Sequence, residues 1–126
     1  MSLIQRAATA LLGERIDPPG DLPPDSLPEG VTLRRGRLVP WIGGRLARSR
    51  RAALAVTLRR SIIHEPGATL TAELLEHELT HVRQWRADPL FPVRYALATL
   101  RHGYRDNPYE REAREAAARV RPTSPP

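Results

Sequence analysis

The first helical pattern of apolar and polar positions covers residues 2–13. Its apolar members fall on one side of a helix and end at Gly13, a common helix stop; they are Leu3, Ile4, Ala7, Ala8, Leu11 and Leu12. Residues 17–30 then interrupt the pattern with five prolines, which exclude regular structure. The pattern predicts an amphipathic N-terminal helix within residues 1–16, followed by a Pro-rich linker or strap at 17–30.

Residues 31–64 are rich in β-branched and aliphatic side chains. VTLRRGRLVPWIGG, residues 31–44, predicts two short strands joined by a turn near Gly36, with Pro40 at the edge of the second strand or at its end. AALAVTLRRSIIH, residues 52–64, predicts a longer strand region, and HEPGAT closes it with a Pro-Gly turn. A short antiparallel strand region is therefore expected before the helical part of the chain.

Helical spacing returns in LLEHELTHVRQW, residues 74–85. At 100° per residue, one side carries Leu74, His77, Glu78, His81, Val82 and Trp85, and the other side carries Glu73, Glu76, Thr80 and Arg83. The first side is predicted to be the buried one. Thr69 or Thr71 can serve as the N-cap of this helix.

Two more helices are predicted after Trp85. PVRYALATLRH runs from about residue 92 to a stop at Gly103, and a last helix starts with Asn107 as N-cap and Pro108 at its first position. These elements predict an α+β domain at residues 31–121, in which a short antiparallel strand region precedes three helices. The PTSPP segment, residues 122–126, is expected to be a disordered tail.

Composition limits the chemistry that the chain can use. Its 126 residues suit one domain with a modest core, and the absence of cysteine excludes disulfides and thiolate metal sites. Any metal must then be held by histidine and carboxylate ligands, a donor set more typical of catalytic than of structural zinc sites.

The formal net charge is +6, and every one of the 20 basic residues is arginine. The RLARSRR cluster at 45–51 suggests contacts with the phosphates of a nucleic acid. A genome-wide compositional bias explains the pattern better, because arginines are spread along the whole chain with few aromatics between them. Nucleic acid therefore stays open as a partner, but it is the less favoured interpretation of the arginines.

Neither a membrane anchor nor a signal peptide is predicted. No apolar run approaches the ~18 residues that are needed to cross a bilayer. SLIQRAATALLGERI at the N-terminus has no long apolar core and no convincing cleavage site. These features predict a cytoplasmic protein with no membrane partner.

His77, Glu78 and His81 form an H-E-x-x-H motif inside the helix at 74–85. The histidines stand one turn apart, so both imidazoles can share one metal ion. Burying these three groups on an apolar face costs several kcal/mol unless they are paired or bound to metal, a conflict that Zn²⁺ removes. Glu78 is the candidate general base, which takes a proton from water and passes it to the leaving amine.

The third metal ligand is chosen from acidic groups and a histidine downstream of the motif: Asp88, His102, Asp106, Glu110, Glu112 and Glu115. Gln84 and Ala87 stand where a metzincin motif needs glycine and histidine, which excludes that pattern. Glu110 and Glu112 lie on a helix predicted to pack on the metal helix through Ala113, Ala117 and Val120. Periodicity favours neither, because both glutamates flank this alanine stripe on a helical wheel. Glu110 is also placed to complete a capping box with Asn107.

HELTHVRQW followed by NPYEREAREAA resembles the gluzincin metallopeptidases, especially the minigluzincins, and is similar to small metallopeptidase-like domains with HELxHxxQ followed by ExEAD. The resemblance covers about residues 55–119 and implies a zincin-like fold. It also implies His77, His81 and Glu110 as zinc ligands and Glu78 as general base. In such families an aspartate four residues after the ligand glutamate orients a zinc-bound histidine.

Arg114 occupies the position of that orienting aspartate, and an arginine cannot accept an imidazole N–H. Another acceptor then serves the histidine, or the site is weakened, or Glu112 is the ligand. The resemblance further implies a strand at 55–64 that pairs with an extended peptide substrate. An oxyanion stabiliser is expected among Tyr104, Tyr109 and His102.

Three functions fit these observations. The leading hypothesis is a zinc-dependent peptidase that hydrolyses peptide bonds by metal-activated water, with self-inhibition by its N-terminal segment as one version. A catalytically weak zinc-binding module is the alternative that Arg114 favours. An Arg-rich nucleic-acid-associated protein is the third.

Overall fold

The computed structural model describes residues 2–18, 22, 26–46 and 55–120. Within these ranges the chain has five helices and one four-stranded sheet, which confirms the predicted α+β class. It divides into two compact units, Met1–Leu70 and Thr71–Pro126. This division falls inside the predicted domain at 31–121, whose bounds stay a prediction.

The N-terminal helix predicted from periodicity is present as α1, Leu3–Leu12. Ser2 caps it by accepting a hydrogen bond from the Gln5 backbone, and the Gln5 side chain completes a capping box by accepting from the Ser2 amide at 2.8 Å. Gly13 ends the helix at φ 95°, a conformation that glycine adopts readily. The predicted stop at Gly13 is therefore confirmed, and the Ser2 capping box is a second local signal at the other end of the helix.

The sheet of the first unit is mixed rather than purely antiparallel, which corrects the prediction. Its strands are β1 (Glu14–Arg15), β2 (Thr32–Arg35), β3 (Ala55–Leu58) and β4 (Ser61–His64), in the order β1-β2-β4-β3. β2 pairs with β4 in parallel, with Leu33 opposite Ile62, and the other two pairs are antiparallel. Leu33, Ile62 and Ile63 are almost completely buried, and this apolar trio anchors the parallel pairing.

The prediction of a second strand at residues 37–44 is wrong, because this segment forms the helix α2, Leu38–Leu46. The sequence pattern places Pro40 at the edge or at the end of that strand. In the structure it lies in the first turn of α2, where the missing N–H of proline would have no helical acceptor anyway. Pro40 is also buried, so packing adds to its local compatibility with a helix start.

The single strand expected at 55–64 is a hairpin of β3 and β4. Arg59 and Arg60 form the two-residue connection, and Arg59 has a φ of 55°. Ala55 stands opposite His64, and Leu58 stands opposite Ser61. A tight turn with a positive φ on a non-glycine residue carries no strong sequence signal, which is why the run 52–64 suggested one strand.

The second unit consists of the three predicted helices, α3 (Ala72–Ala87), α4 (Phe91–His102) and α5 (Pro108–Val120). Thr71 caps α3 by accepting from the Leu74 amide at 3.0 Å. Gly103 ends α4 at φ 80°. Asn107 caps α5, since its Oδ1 accepts from the Tyr109 amide at 2.9 Å.

Helices α3 and α5 pack along each other. Ala113 and Ala116 are the buried small residues of α5, whereas Val120 is 43% exposed, so the predicted stripe through Ala117 and Val120 is displaced by one position. Small side chains at such a contact allow two helix backbones to approach closely. On α3, Thr80 is buried although the helical wheel placed it on the outer side.

Some predicted features lie outside the described residues. They are most of the RLARSRR cluster, six residues of the Pro-rich strap and the tail at 122–126. Across the described ranges, no helix combines the length and the apolar character that a membrane span requires.

Candidate metal centre

His77 and His81 present their rings side by side from consecutive turns of α3. The ring centroids lie 5.1 Å apart and the planes meet at 72°. His81 is buried, and the His77 side chain keeps 18% of its surface exposed. The spacing of four residues therefore places both imidazoles on one face, as the motif predicts.

Glu110 of α5 brings a carboxylate to both histidines. Its Oε2 lies 3.0 Å from Nε2 of His77, and its Oε1 lies 3.0 Å from Nε2 of His81. The residue is 3% exposed, whereas Glu112 lies on the exposed side of α5. Because Glu110 turns toward the histidines, the Asn107–Glu110 capping box does not form. Asn107 Oδ1 accepts from the Tyr109 amide instead, and the Asn107 amide donates to the Tyr104 carbonyl.

Hydrogen-bond donors around Glu110 stabilise its negative charge. Burial alone would raise the pKa of this carboxyl group, but hydrogen bonds from His77, His81 and Tyr95 outweigh burial and hold the pKa well below its usual range. Glu110 is therefore a carboxylate at ordinary pH. A buried anion facing two imidazole nitrogens is the electrostatic setting that a cation requires.

His81 has an oxygen acceptor at each ring nitrogen. Nδ1 lies 2.8 Å from Oε1 of Gln84, and Nε2 faces Glu110. Burial alone would lower the pKa of His81, but the hydrogen-bonded charge of Glu110 and the nearby charge of Glu78 outweigh burial and raise the pKa. In the metal-free arrangement the imidazole is thus stabilised in its cationic form.

Tyr95 of α4 is a site residue that sequence reasoning missed. Its hydroxyl donates to Oε1 of Glu110 at 2.8 Å, and its ring meets the ring of His81 edge to face at 6.2 Å. Burial and the negative charge of Glu110 raise the pKa of Tyr95. The available signal was its position four residues after Phe91, an aromatic that marks the buried side of α4.

Glu78 and Tyr104 complete the surroundings of the cluster. Glu78 is 4% exposed and follows His77 directly on α3. Tyr104 follows α4 and is 43% exposed. Its partial burial and the charges of Glu110 and Glu78 raise the pKa of Tyr104. The hydroxyl is thus neutral at ordinary pH and able to donate.

The remaining predicted site residues lie elsewhere. Within the described part of the chain, the one group of three or more His, Cys, Asp or Glu side chains with ligand geometry is His77, His81 and Glu110. That group does not include Asp88, His102, Asp106, Glu112 or Glu115. Tyr109 contacts the rings of Phe91 and Tyr95, and Arg114 donates to the backbone carbonyl of Arg105.

The donor set fits a zinc ion. The three ligand atoms lie within 4.8 Å of one another, and they combine two imidazole nitrogens with one carboxylate. Two ligands of a tetrahedral zinc stand about 3.4 Å apart when each is ~2.1 Å from the metal. Each Glu110 oxygen lies 3.0 Å from one imidazole Nε2, a hydrogen-bond distance that is about 0.4 Å shorter than this ligand spacing.

No family model, no curated protein and no solved structure matches this chain. The resemblance to gluzincins therefore stays a prediction from the sequence. What the structure shows is that the H-E-x-x-H motif meets a glutamate from the last helix, Glu110, which lies 29 positions after His81 in the chain.

Proposed function

We propose that this protein is a zinc-dependent peptidase whose metal is held by His77, His81 and Glu110. The observation that carries the proposal is the convergence of these three side chains from α3 and α5 on one small volume. Two histidines on one helix face arise easily by chance, but a buried carboxylate directed at both Nε2 atoms does not. The same set is the donor combination of catalytic zinc sites.

Zinc held there would lower the pKa of a water molecule toward ~7 and polarise a substrate carbonyl. Glu78 is the general base in the proposed reaction. Its carboxylate accepts a proton from the attacking water and donates that proton to the amine as the peptide C–N bond breaks. Support for this role comes from its position next to His77 on the helix that carries both histidines, and from its absence from the group of three side chains with ligand geometry.

Tyr104 is the proposed donor to the substrate carbonyl oxygen as negative charge develops on it. Its raised pKa keeps the phenol protonated, so it can donate a hydrogen bond throughout the reaction. Of the three candidates predicted from the sequence, Tyr104 is the one whose hydroxyl interacts with the charges of Glu110 and Glu78.

Metal content and peptide hydrolysis of the full chain test the proposal. We expect about one zinc per chain after purification without chelator and cleavage of a mixed peptide library, with loss of cleavage after chelation. Glu78→Gln should keep the zinc and lose about 10²- to 10⁴-fold in rate. Zinc content near zero overturns the proposal. Stoichiometric zinc without cleavage of any peptide instead supports the catalytically weak zinc-binding module.

A further inference from the structure

Gln84 connects the candidate metal centre to the backbone of α5. Its Oε1 lies 2.8 Å from Nδ1 of His81, and its Nε2 donates to the carbonyl oxygen of Tyr109 at 3.1 Å. The side chain is buried, with 8% of the residue exposed. Both polar ends of this buried amide therefore have a hydrogen-bond partner.

We propose that Gln84 is a positioning residue that fixes His81 with its proton on Nδ1 and thereby directs the Nε2 lone pair at the metal. This inference rests on the proposed function, because it concerns the metal ligand His81. It assigns a role to a residue that lies outside the ligand set and outside the H-E-x-x-H motif.

The orientation of the Gln84 amide follows from its partners. The Tyr109 carbonyl can only accept a hydrogen bond, so the amide nitrogen of Gln84 must face it. The amide oxygen then faces His81, and an oxygen acceptor requires that Nδ1 carry a proton. In the metal-free protein Nε2 faces the Glu110 carboxylate, which can only accept a hydrogen bond, so Nε2 carries a proton as well. A metal ion that replaced this Nε2 proton would meet the Nε2 lone pair of an imidazole that keeps its proton on Nδ1.

The contact between Gln84 and His81 provides an acceptor for the imidazole N–H, which Arg114 cannot accept. The resemblance implies an aspartate there to orient a histidine, but Arg114 turns away to the Arg105 carbonyl. Gln84 supplies the missing acceptor from α3 itself, three residues after His81. A neutral amide oxygen replaces a carboxylate, and outer partners of this kind commonly tune metal affinity.

The hydrogen bond from Gln84 to the Tyr109 carbonyl also links the position of His81 to that of Glu110. Tyr109 precedes Glu110 in the chain, so the first turn of α5 provides both the third ligand and the carbonyl that holds Gln84. A displacement of α5 would move Glu110 and release Gln84 at once. The two helices therefore set the ligand geometry as one assembly.

The test compares zinc affinities of full-length variants, measured by competition with a chromophoric chelator. Gln84→Met keeps the volume and removes the acceptor, and we expect it to weaken zinc binding about 10- to 100-fold. Gln84→Glu retains an acceptor for His81 and should recover most of that loss. Arg83→Met, an exposed neighbour on the same helix, is the matched control and should bind zinc as the parent does.

Nitrogen-15 NMR of the zinc-loaded parent shows which imidazole nitrogen carries the proton, a property that a purely structural role of Gln84 would not determine. We expect the His81 proton on Nδ1 and the metal on Nε2, and the reverse assignment overturns the inference even if Gln84→Met does not fold. Unchanged zinc affinity in Gln84→Met, with a parent that binds zinc, overturns the inference alone. A parent that binds no zinc overturns the proposed function and the inference together.

Discussion

The hydroxyl of Tyr95 donates to Oε1 of Glu110 at 2.8 Å, on the same oxygen that lies 3.0 Å from Nε2 of His81. Through this contact α4 takes part in a centre whose proposed ligands come from α3 and α5. A hydroxyl that donates to a buried carboxylate stabilises its charge and limits the rotation of the carboxylate group. Tyr95 is therefore expected to contribute to stability and to ligand order.

Removal of that hydroxyl gives the first prediction. Tyr95→Phe should lower the free energy of unfolding of the metal-free protein by roughly 1.5–3 kcal/mol, the usual range for a hydrogen bond to a charged group. Urea denaturation in the presence of chelator measures it. Tyr109→Phe removes a hydroxyl from the same aromatic cluster and should cost less. Equal losses in the two variants would contradict a specific role for the contact with Glu110.

The second prediction separates the two glutamates that periodicity left open. Glu110→Gln should weaken zinc binding by more than the roughly 100-fold that loss of an outer partner causes, because it removes a proposed ligand. Glu112→Gln changes the same chemical group two residues later on the exposed side of α5 and should leave zinc binding unchanged. Isothermal titration with zinc measures both. A loss of binding confined to Glu112→Gln would reverse the assignment.

The helices of the second unit were predictable because their ends carry local signals. Thr71, Gly103 and Asn107 each stop or start a helix through contacts within a few residues. α2 was missed because Pro40 suits a strand end and a helix first turn equally well. The parallel pairing of Leu33 with Ile62 joins distant segments, and no local pattern encodes such a register.

The candidate site was likewise predictable only where spacing within one helix determines it. His77 and His81 are fixed by spacing within one helix, so the motif alone placed them correctly. Gln84 and Tyr95 contact His81 and Glu110, and these contacts depend on the relative rotation of neighbouring helices, which the sequence pattern does not fix. A displacement of the buried stripe from Ala117 to Ala116 is enough to change which side chains meet.

The third prediction concerns Asn107, which is completely buried. Its Oδ1 caps α5, and its Nδ2 donates to Oγ1 of Thr99 at 2.9 Å and to the carbonyl of Tyr95 at 3.3 Å. Asn107→Ala removes the cap and leaves buried acceptors without these donors, so it should destabilise the protein by roughly 2–4 kcal/mol. Thermal or urea unfolding measures the loss.

Asn107→Ser is the matched control for that experiment. Serine is a good N-cap but lacks the second polar group, so the variant should fall between the parent and Asn107→Ala in stability. Weaker zinc binding in Asn107→Ala is also expected, because Glu110 lies in the turn that the cap holds. A variant as stable as the parent would show that the cap and the link to α4 are dispensable.

The fourth prediction concerns Gly13, where α1 ends beside β2. A Cβ built on Gly13 would lie 2.2 Å from the carbonyl oxygen of Arg35, and the residue also has a φ of 95°. Gly103 has a similar φ of 80°, but a Cβ there would meet nothing within 4 Å. Gly103→Ala should therefore cost about 1–3 kcal/mol for its backbone conformation alone. Gly13→Ala should cost more, because the backbone must also move.

Amide hydrogen exchange in each unit measures the effects of Gly13→Ala and Gly103→Ala separately. Faster exchange in β1 and β2 of Gly13→Ala is expected, since the Arg34 guanidinium donates to the Gly13 carbonyl at 2.8 Å and β1 pairs with β2 directly after this glycine. Gly103→Ala should accelerate exchange mainly at the end of α4. Equal acceleration of exchange by the two substitutions, each in its own unit, would mean that the approach of Gly13 to Arg35 adds no constraint beyond a positive φ.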